Sequence, residues 1–398
     1  MVGHLGRIPL AALAVGAGVL GLAGWFGVVI AFGTTGRAAR RYGAGARAGA
    51  VAEGVQASWL ALALGAAMLL SIELLAEPIA RTLAGSSEVA VAAAGWLRIA
   101  ALGIPGLLLA TAGNGWLRGV QDTRRPMRYL LGANLLSAVL APLLVYPVGL
   151  GLTGSAIANV TAQTLSGGLF VRALLLEGVP LRPHPGLIRA QLVVARDLVV
   201  RGAAFQACFL SATAVAGRFG GAALAAHQIA FQLWFFCALM LDAVAIAAQS
   251  LVGAALGAAD AVGARWLAGR IGRIGLVSGT AFAVALLAGT AVLPRLFSSD
   301  PQVYAQVLLA WPWFVGMQPL AGVVFALDGV LIGAGDVRYL RDLTVLAALG
   351  GFLPMVWLAY ALHLGLGGVW AGLTLLIVVR LVGMLRRMRN TRWIVVGL

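Results

Sequence analysis

Apolar residues run together in blocks along this chain, with almost no alternation of apolar and polar positions. Eleven blocks of about 20 residues, each long enough as a helix to cross about 30 Å of hydrocarbon, fall at 8–33, 51–75, 90–113, 129–147, 154–175, 197–214, 224–249, 267–292, 303–330, 343–362 and 367–385. Unbroken runs predict membrane-spanning helices, because a transmembrane barrel would show a period of two. With 61% apolar and 10% charged residues and a mean hydropathy of +0.98, the chain has too little polar surface to dissolve as globular domains. The expected fold class is all-α integral membrane, with 11 transmembrane helices.

Charge matters to this picture through its placement. The 28 basic residues are all arginine and outnumber 13 acidic ones, for a net charge of +15. They cluster in every second loop: Arg37, Arg40, Arg41 and Arg47; Arg118, Arg124, Arg125 and Arg128; Arg172, Arg182, Arg189 and Arg196; Arg265, Arg270 and Arg273; Arg338 and Arg341; Arg386, Arg387, Arg389 and Arg392. That alternation is the positive-inside pattern. It places these loops and the C-terminus in the cytoplasm and assigns the charge to topology, not to a nucleic acid. A multi-pass protein of the inner membrane is expected, a monomer in the lipid bilayer, with its N-terminus outside. Cys208 and Cys237 fall inside helices without metal-ligand spacing and read as packing residues.

The chain repeats itself. GWLRGVQDTRRPM (115–127) and GVLIGAGDVRYLR (329–341) share Gly, Leu, Gly, Asp and Arg at the same five positions, 214 residues apart. The same offset pairs Gly3 with Gly217, Gly6 with Gly220, Gly43 with Gly257, Gly49 with Gly263, Pro105 with Pro319, and LGLTG (150–154) with LGLGG (364–368). Six helices separate each copy from its partner, an even number, so the halves share one orientation as parallel six-helix repeats. Two pseudo-symmetric helical lobes follow, 1–175 and 197–398, joined by a cytoplasmic linker at 176–196. Helix 197–214 has no counterpart, so the first repeat lacks its first helix. Two like bundles leave a cleft suited to a transported substrate.

Three stretches, MVGHLGRIPLAAL (1–13), LAAHQIAFQLWFFCALMLDAVAIAAQSLVGAALGAAD (224–260) and LDGVLIGAGDVRYLRD (327–342), resemble the multidrug and toxic compound extrusion (MATE) family in its DinF-like branch. The resemblance implies a secondary antiporter that exports small organic compounds, often cationic or amphipathic, in exchange for protons or sodium ions by alternating access of two lobes. It also implies an aspartate in the first helix, which is absent here, and an Asn and an Asp four residues apart in the family's fifth helix, where NLLSAVLA (134–141) offers Ser137 and Ala141. The N-lobe keeps only the neutral groups Asn134, Asn159 and Gln163.

An ion-driven carrier needs a group whose charge changes during the cycle, and a carboxylate buried among helices suits that task. Asp242, inside helix 224–249, is the leading ion-coupling candidate, about 10 Å of rise from the cytoplasmic end. His227, Gln228, Gln232, Asp242 and Gln249 fall within about 140° of helical arc and predict a polar, cavity-lining face, with Trp234 beside it. The competing reading makes Asp242 an interhelical hydrogen-bonding group, and His227 a packing residue. Asp328, paired with Asn114 in the repeat, is either a second proton site or a group closing the end of helix 303–330. Pro105 and Pro319 should bend their helices, as pivots or for packing. In the echoed loop Gly119 and Gly333 suit helix ends, Asp122 and Asp336 can cap the next helix, and Arg124 and Arg338 can anchor the loop; the alternative makes these pairs an interlobe latch. The coupling ion is expected to be the proton, since a lone acid titrates whereas sodium needs several oxygen ligands.

A flippase for lipid-linked precursors, from the same wider superfamily, would carry basic residues in its cavity and extra helices, and the sequence suggests neither. A degenerate non-transporting homologue is the remaining alternative. An enzyme is not expected: His4, His184, His227 and His363 are scattered, no acidic pair sits at metal-ligand spacing, and no metal or covalent cofactor is implied.

Overall fold

The computed structural model describes residues 2–397, and these form helices joined by short turns. In chain order they are α1 (Arg7–Gly43), α2 (Arg47–Leu83), α3 (Ser87–Ala101), α4 (Ile104–Gly119), α5 (Arg124–Val145), α6 (Gly151–Leu175), α7 (Pro185–Arg218), α8 (Gly221–Gly257), α9 (Ala261–Ala288), α10 (Leu293–Phe297), α11 (Pro301–Gly316), α12 (Gln318–Gly333), α13 (Val337–Ala347), α14 (Leu353–Ala361) and α15 (Gly365–Arg389). Local chemistry sets several of the starts. Ser86 accepts a hydrogen bond from the Val89 backbone at 3.3 Å ahead of α3. Asp260 does the same from Gly263 at 2.7 Å ahead of α9, and Asp300, followed by Pro301, accepts from Gln302 at 2.8 Å ahead of α11. These are side-chain caps on otherwise orphaned N–H groups.

Among the described residues, eight helices are long and apolar enough to cross a membrane, and two bent pairs bring the number to ten. The eleventh expected span, 154–175, does fold as the 25-residue helix α6, but its Asn159, Thr161, Gln163, Thr164 and Ser166 leave it short on apolar character. The bent pairs are α3 with α4, at 47°, and α11 with α12, at 49°. Pro105 and Pro319 stand at the starts of the second halves, where a missing N–H costs nothing. The prolines therefore follow the bend and do not interrupt a continuous helix, as the sequence had suggested. Between α13 and α14, residues 348–352 form a π-helical turn.

The chain divides into two compact units, one ending at Ala195 and one beginning at Arg196. The boundary lies inside α7, at the end of the expected linker 176–196, and residues 181–195 pack onto the first unit. There Trp59 Nε1 donates to Leu181 O at 2.8 Å, Gln56 Oε1 accepts from the His184 backbone at 2.8 Å, and Gln191 Nε2 donates to the Glu53 side chain and backbone at 2.9 Å.

Backbone geometry repeats with the sequence. Left-handed φ values occur at Gly6 and Gly220, Gly45 and Ala259, Gln121 and Gly335, Gly149 and His363, and Gly151 and Gly365, five pairs at the same offset. Close helix approaches repeat too. A Cβ on Gly65 would lie 2.8 Å from Pro105 Cα, and one on Gly279 would lie 2.9 Å from Pro319 Cα. Gly119 and Gly333, expected to supply left-handed helix ends, instead serve contact: a Cβ would stand 2.5 Å from Ala38 Cβ in the first case and from Gln249 O in the second. The left-handed turn lies two residues further on, at Gln121 and Gly335.

Candidate functional site

The second unit, the C-lobe, concentrates charge inside its membrane-spanning helices. Asp328 on α12 is buried, and Arg380 Nη2 on α15 donates to both its carboxylate oxygens at 2.7 and 2.6 Å. Arg201 Nη2 on α7 donates to Oδ2 at 2.6 Å. The side chains are 7% exposed for Asp328, 3% for Arg380 and 14% for Arg201, so these contacts are shielded from water. Phe205, one turn past Arg201, lies beneath both guanidinium groups, 5.6 Å from that of Arg201 and 4.9 Å from that of Arg380. Asp242 on α8 is half-buried and close enough to Arg201 for their charges to interact. Two acids and two arginines from four helices thus form one cluster of zero formal charge.

Sequence reasoning placed two of these four groups. It missed Arg201 and Arg380, having treated arginine as a loop marker; both fall inside apolar blocks, and a basic residue at that depth is itself the signal. Asp328 does not close a helix end either. Helix α12 runs on to Gly333, and the carboxylate turns sideways to α7 and α15. Asp242 sits deeper than expected, about 22 Å of rise from the Gly257 end, because α8 extends eight residues beyond 249.

The predicted polar face of α8 splits by its own geometry. His227, Gln249 and Asp242 fall within about 60° of arc, and Gln228 and Gln232 lie about 100° and 140° from His227. Accordingly His227 and Gln249 are buried, Asp242 is half-buried, and Gln228 and Gln232 are exposed. His227 stacks on Phe231 and lies tilted to Trp370, each at 5.9 Å, with Nε2 3.4 Å from Thr213 Oγ1 and Nδ1 buried without a partner among the described residues. Trp234 is buried edge-on to Phe325 at 6.2 Å. Cys208 and Cys237 are buried packing residues.

In the first unit, the N-lobe, Asn159 and Gln163 line a cavity of about 310 Å³. Its walls come from α1, α3, α4 and α6, next to the bend, with Leu13, Trp96 and Gly103 among the lining residues. Asn134 is not there; it is exposed and donates to Leu130 O at 2.8 Å. The positions matching Asp328 and Arg380 are Asn114 and Ser166, both buried, with Asn114 Oδ1 and Ser166 Oγ lacking a partner among the described residues. The N-lobe's own buried acid was missed altogether. Glu53 is fully buried, held by Arg37 at 2.8 and 2.9 Å and by Arg41 at 2.8 Å, near the arginine-rich start of α2.

The echoed loops have diverged. Asp122 caps α5, accepting from the backbones of Arg124 and Arg125 at 3.1 Å. Asp336 makes no such cap and accepts from Arg387 Nε at 2.6 Å. Arg124 and Arg338 are exposed. Each acid thus has a partner within its own lobe.

A family model, MatE, matches residues 1–143 and 198–357, about three quarters of the chain. The chain belongs to the MatE family. This MatE protein is 31% identical over 412 residues to DNA damage-inducible protein F of Escherichia coli, covering 99% of this chain and 88% of that protein. It is also 31% identical over 326 residues to Protein DETOXIFICATION 44, chloroplastic, of Arabidopsis thaliana, covering 81% of this chain. The chain spans 60% of that plant relative's length. The crystal structure of a MATE protein in the bent conformation superposes with a TM-score of 0.91 at 22% identity, over 98% of this chain and 90% of that one. A MOP superfamily transporter from Pyrococcus furiosus gives 0.87 at 21%, with the same coverage. These two likenesses concern the fold.

Proposed function

We propose that this MatE protein is a secondary active antiporter that exports organic, often cationic or amphipathic, compounds in exchange for protons, with coupling in the C-lobe. It works in the cytoplasmic membrane as a monomer with its C-terminus inside, and the bends ahead of Pro105 and Pro319 serve as pivots. The observation that supports this reading is the shared arginine. Arg201 bonds Asp328 and feels Asp242, so the two acids compete for one guanidinium. A proton taken up by Asp242 removes that competitor and leaves Arg201 to Asp328; its loss restores the pull between α7, α8 and α12. A proton thereby changes which helices are held together, which is the requirement for coupling an ion to a conformational change. Asp328, bonded by two arginines, remains the anchor of the cluster. The N-lobe supplies neutral hydrogen-bonding groups, Asn159 and Gln163, on an apolar cavity, a combination suited to compounds of varied shape.

The test uses proteoliposomes loaded with a fluorescent organic cation. A pH gradient drives export by the parent protein, an equal sodium gradient does not, and Asp242→Asn loses gradient-driven export while remaining folded. Equal gradient-driven export by parent and Asp242→Asn would remove Asp242 from the mechanism, and export driven by sodium alone would replace the proton as the coupling ion.

A further inference from the structure

The C-lobe contains a cleft of about 450 Å³ lined by α9, α12, α15 and the segment after α15. Arg265 and Arg273 stand on its α9 side, while Leu276, Leu327, Met388 and Trp393 supply apolar wall, and no acidic residue takes part. Both arginines are exposed, and neither makes an ion pair or side-chain hydrogen bond among the described residues. Gly269 and Gly272, between them on α9, have no neighbour within 4 Å of a built Cβ, so the cleft reaches the helix backbone.

The repeat shows what this helix face is built to carry. At the matching positions of α2 stand Val51 for Arg265, Gln56 for Arg270 and Trp59 for Arg273. In the N-lobe that face is covered by protein: Gln56 and Trp59 bind the backbone of Leu181, Arg182 and His184, and Gln191 closes over Glu53. On α9 the positions of Gln56 and Trp59 carry Arg270 and Arg273, and both are exposed. Arg270 stacks on the exposed Trp266 at 5.2 Å, an arrangement suited to the membrane interface.

We propose that this cleft binds an anionic phospholipid from the leaflet at the arginine-rich end of the helices. Arg265 and Arg273 bond the phosphate oxygens, guanidinium groups being matched to phosphate in shape and charge. An acyl chain lies along Leu276 and Leu327. The two arginines are eight residues apart, about 12 Å along α9, which favours a headgroup with two phosphates over one. Basic clefts between helices at this depth are the usual form of such sites.

The test is native mass spectrometry of the purified full chain in detergent, titrated with cardiolipin, phosphatidylglycerol or phosphatidylcholine of matched chains. The parent retains cardiolipin most strongly, phosphatidylglycerol next, and both at least about tenfold more tightly than phosphatidylcholine. The double substitution Arg265→Gln with Arg273→Gln removes that preference. Gly269→Leu, which fills the cleft and leaves both charges, reduces retention of the anionic lipids as well, and covers the case in which the double variant does not fold. Arg124→Gln with Arg338→Gln, a charge-matched control at exposed helix starts, changes nothing. Equal retention by the parent and the Gly269→Leu variant would overturn the proposal. So would equal losses in the control and cleft variants, which would reveal diffuse attraction to a basic surface, or indifference between anionic and zwitterionic lipid.

Discussion

Where the C-lobe buries Asp328 between Arg380 and Arg201, the N-lobe places Asn114 and Ser166. Where the N-lobe buries Glu53 between Arg37 and Arg41, the C-lobe has Leu267. The backbones of the two lobes agree closely enough to reproduce five left-handed residues in register, so the difference between them is chemical. One lobe draws its ionic cluster from α7, α12 and α15, with the carboxylate of Asp328 at its centre. The other keeps its cluster near the arginine-rich end, where it fastens the connecting segment to α2. A duplicated fold has thus kept its backbone and placed its buried ion pairs differently in each copy.

The comparison is broken most strongly at its charged centres. Asp328→Asn should cost about 3–5 kcal/mol, because it leaves two arginines buried without their counter-charge; the loss is read as a lowered denaturation midpoint in detergent. A loss below about 1 kcal/mol would mean that water already screens the cluster. Glu53→Gln should cost a little less, about 2–4 kcal/mol, since Arg37 and Arg41 are partly exposed and can rehydrate. Its distinguishing readout is hydrogen exchange, which should rise over residues 181–195 and stay unchanged around α12. Next come the close helix approaches. Gly115→Val and Gly329→Val drive a side chain toward the carbonyls of Ala31 and Ala245, and each should cost about 1–3 kcal/mol. The loss should be larger at Gly329, whose carbonyl contact is the closer, and a negligible loss at either site would break the claim that close packing is shared. The smallest effect is at the turn. Ala259 holds φ 58°, where the N-lobe uses Gly45 at 77°; Ala259→Gly should gain, and Gly45→Ala should lose, about 1 kcal/mol or less.

The arrangement of helices was legible because membrane physics writes it coarsely. Continuous apolar runs give the spans, and a constant offset the duplication. Chemistry between helices was less legible. Nothing in the local pattern joins Arg201 to Asp328, 127 residues away, or Arg380 to the same carboxylate; only the fold brings α7, α12 and α15 together. Even so, an arginine inside an apolar block was a readable anomaly, as was Glu53 near the start of another. Matching loop motifs misled in the opposite direction. Asp122 and Asp336 share a motif and differ in use, because Arg387 is near enough to draw Asp336 from its helix cap.

The central claim is that one acid of the C-lobe gains and loses a proton as substrate binds. The most direct measurement follows proton release with a pH-sensitive dye when a saturating organic cation is added to purified protein in weak buffer. About one proton per protein is expected from the parent and from the N-lobe variant Asn159→Ala where it still binds, and none from Asp242→Asn. Undiminished release from Asp242→Asn would contradict the account.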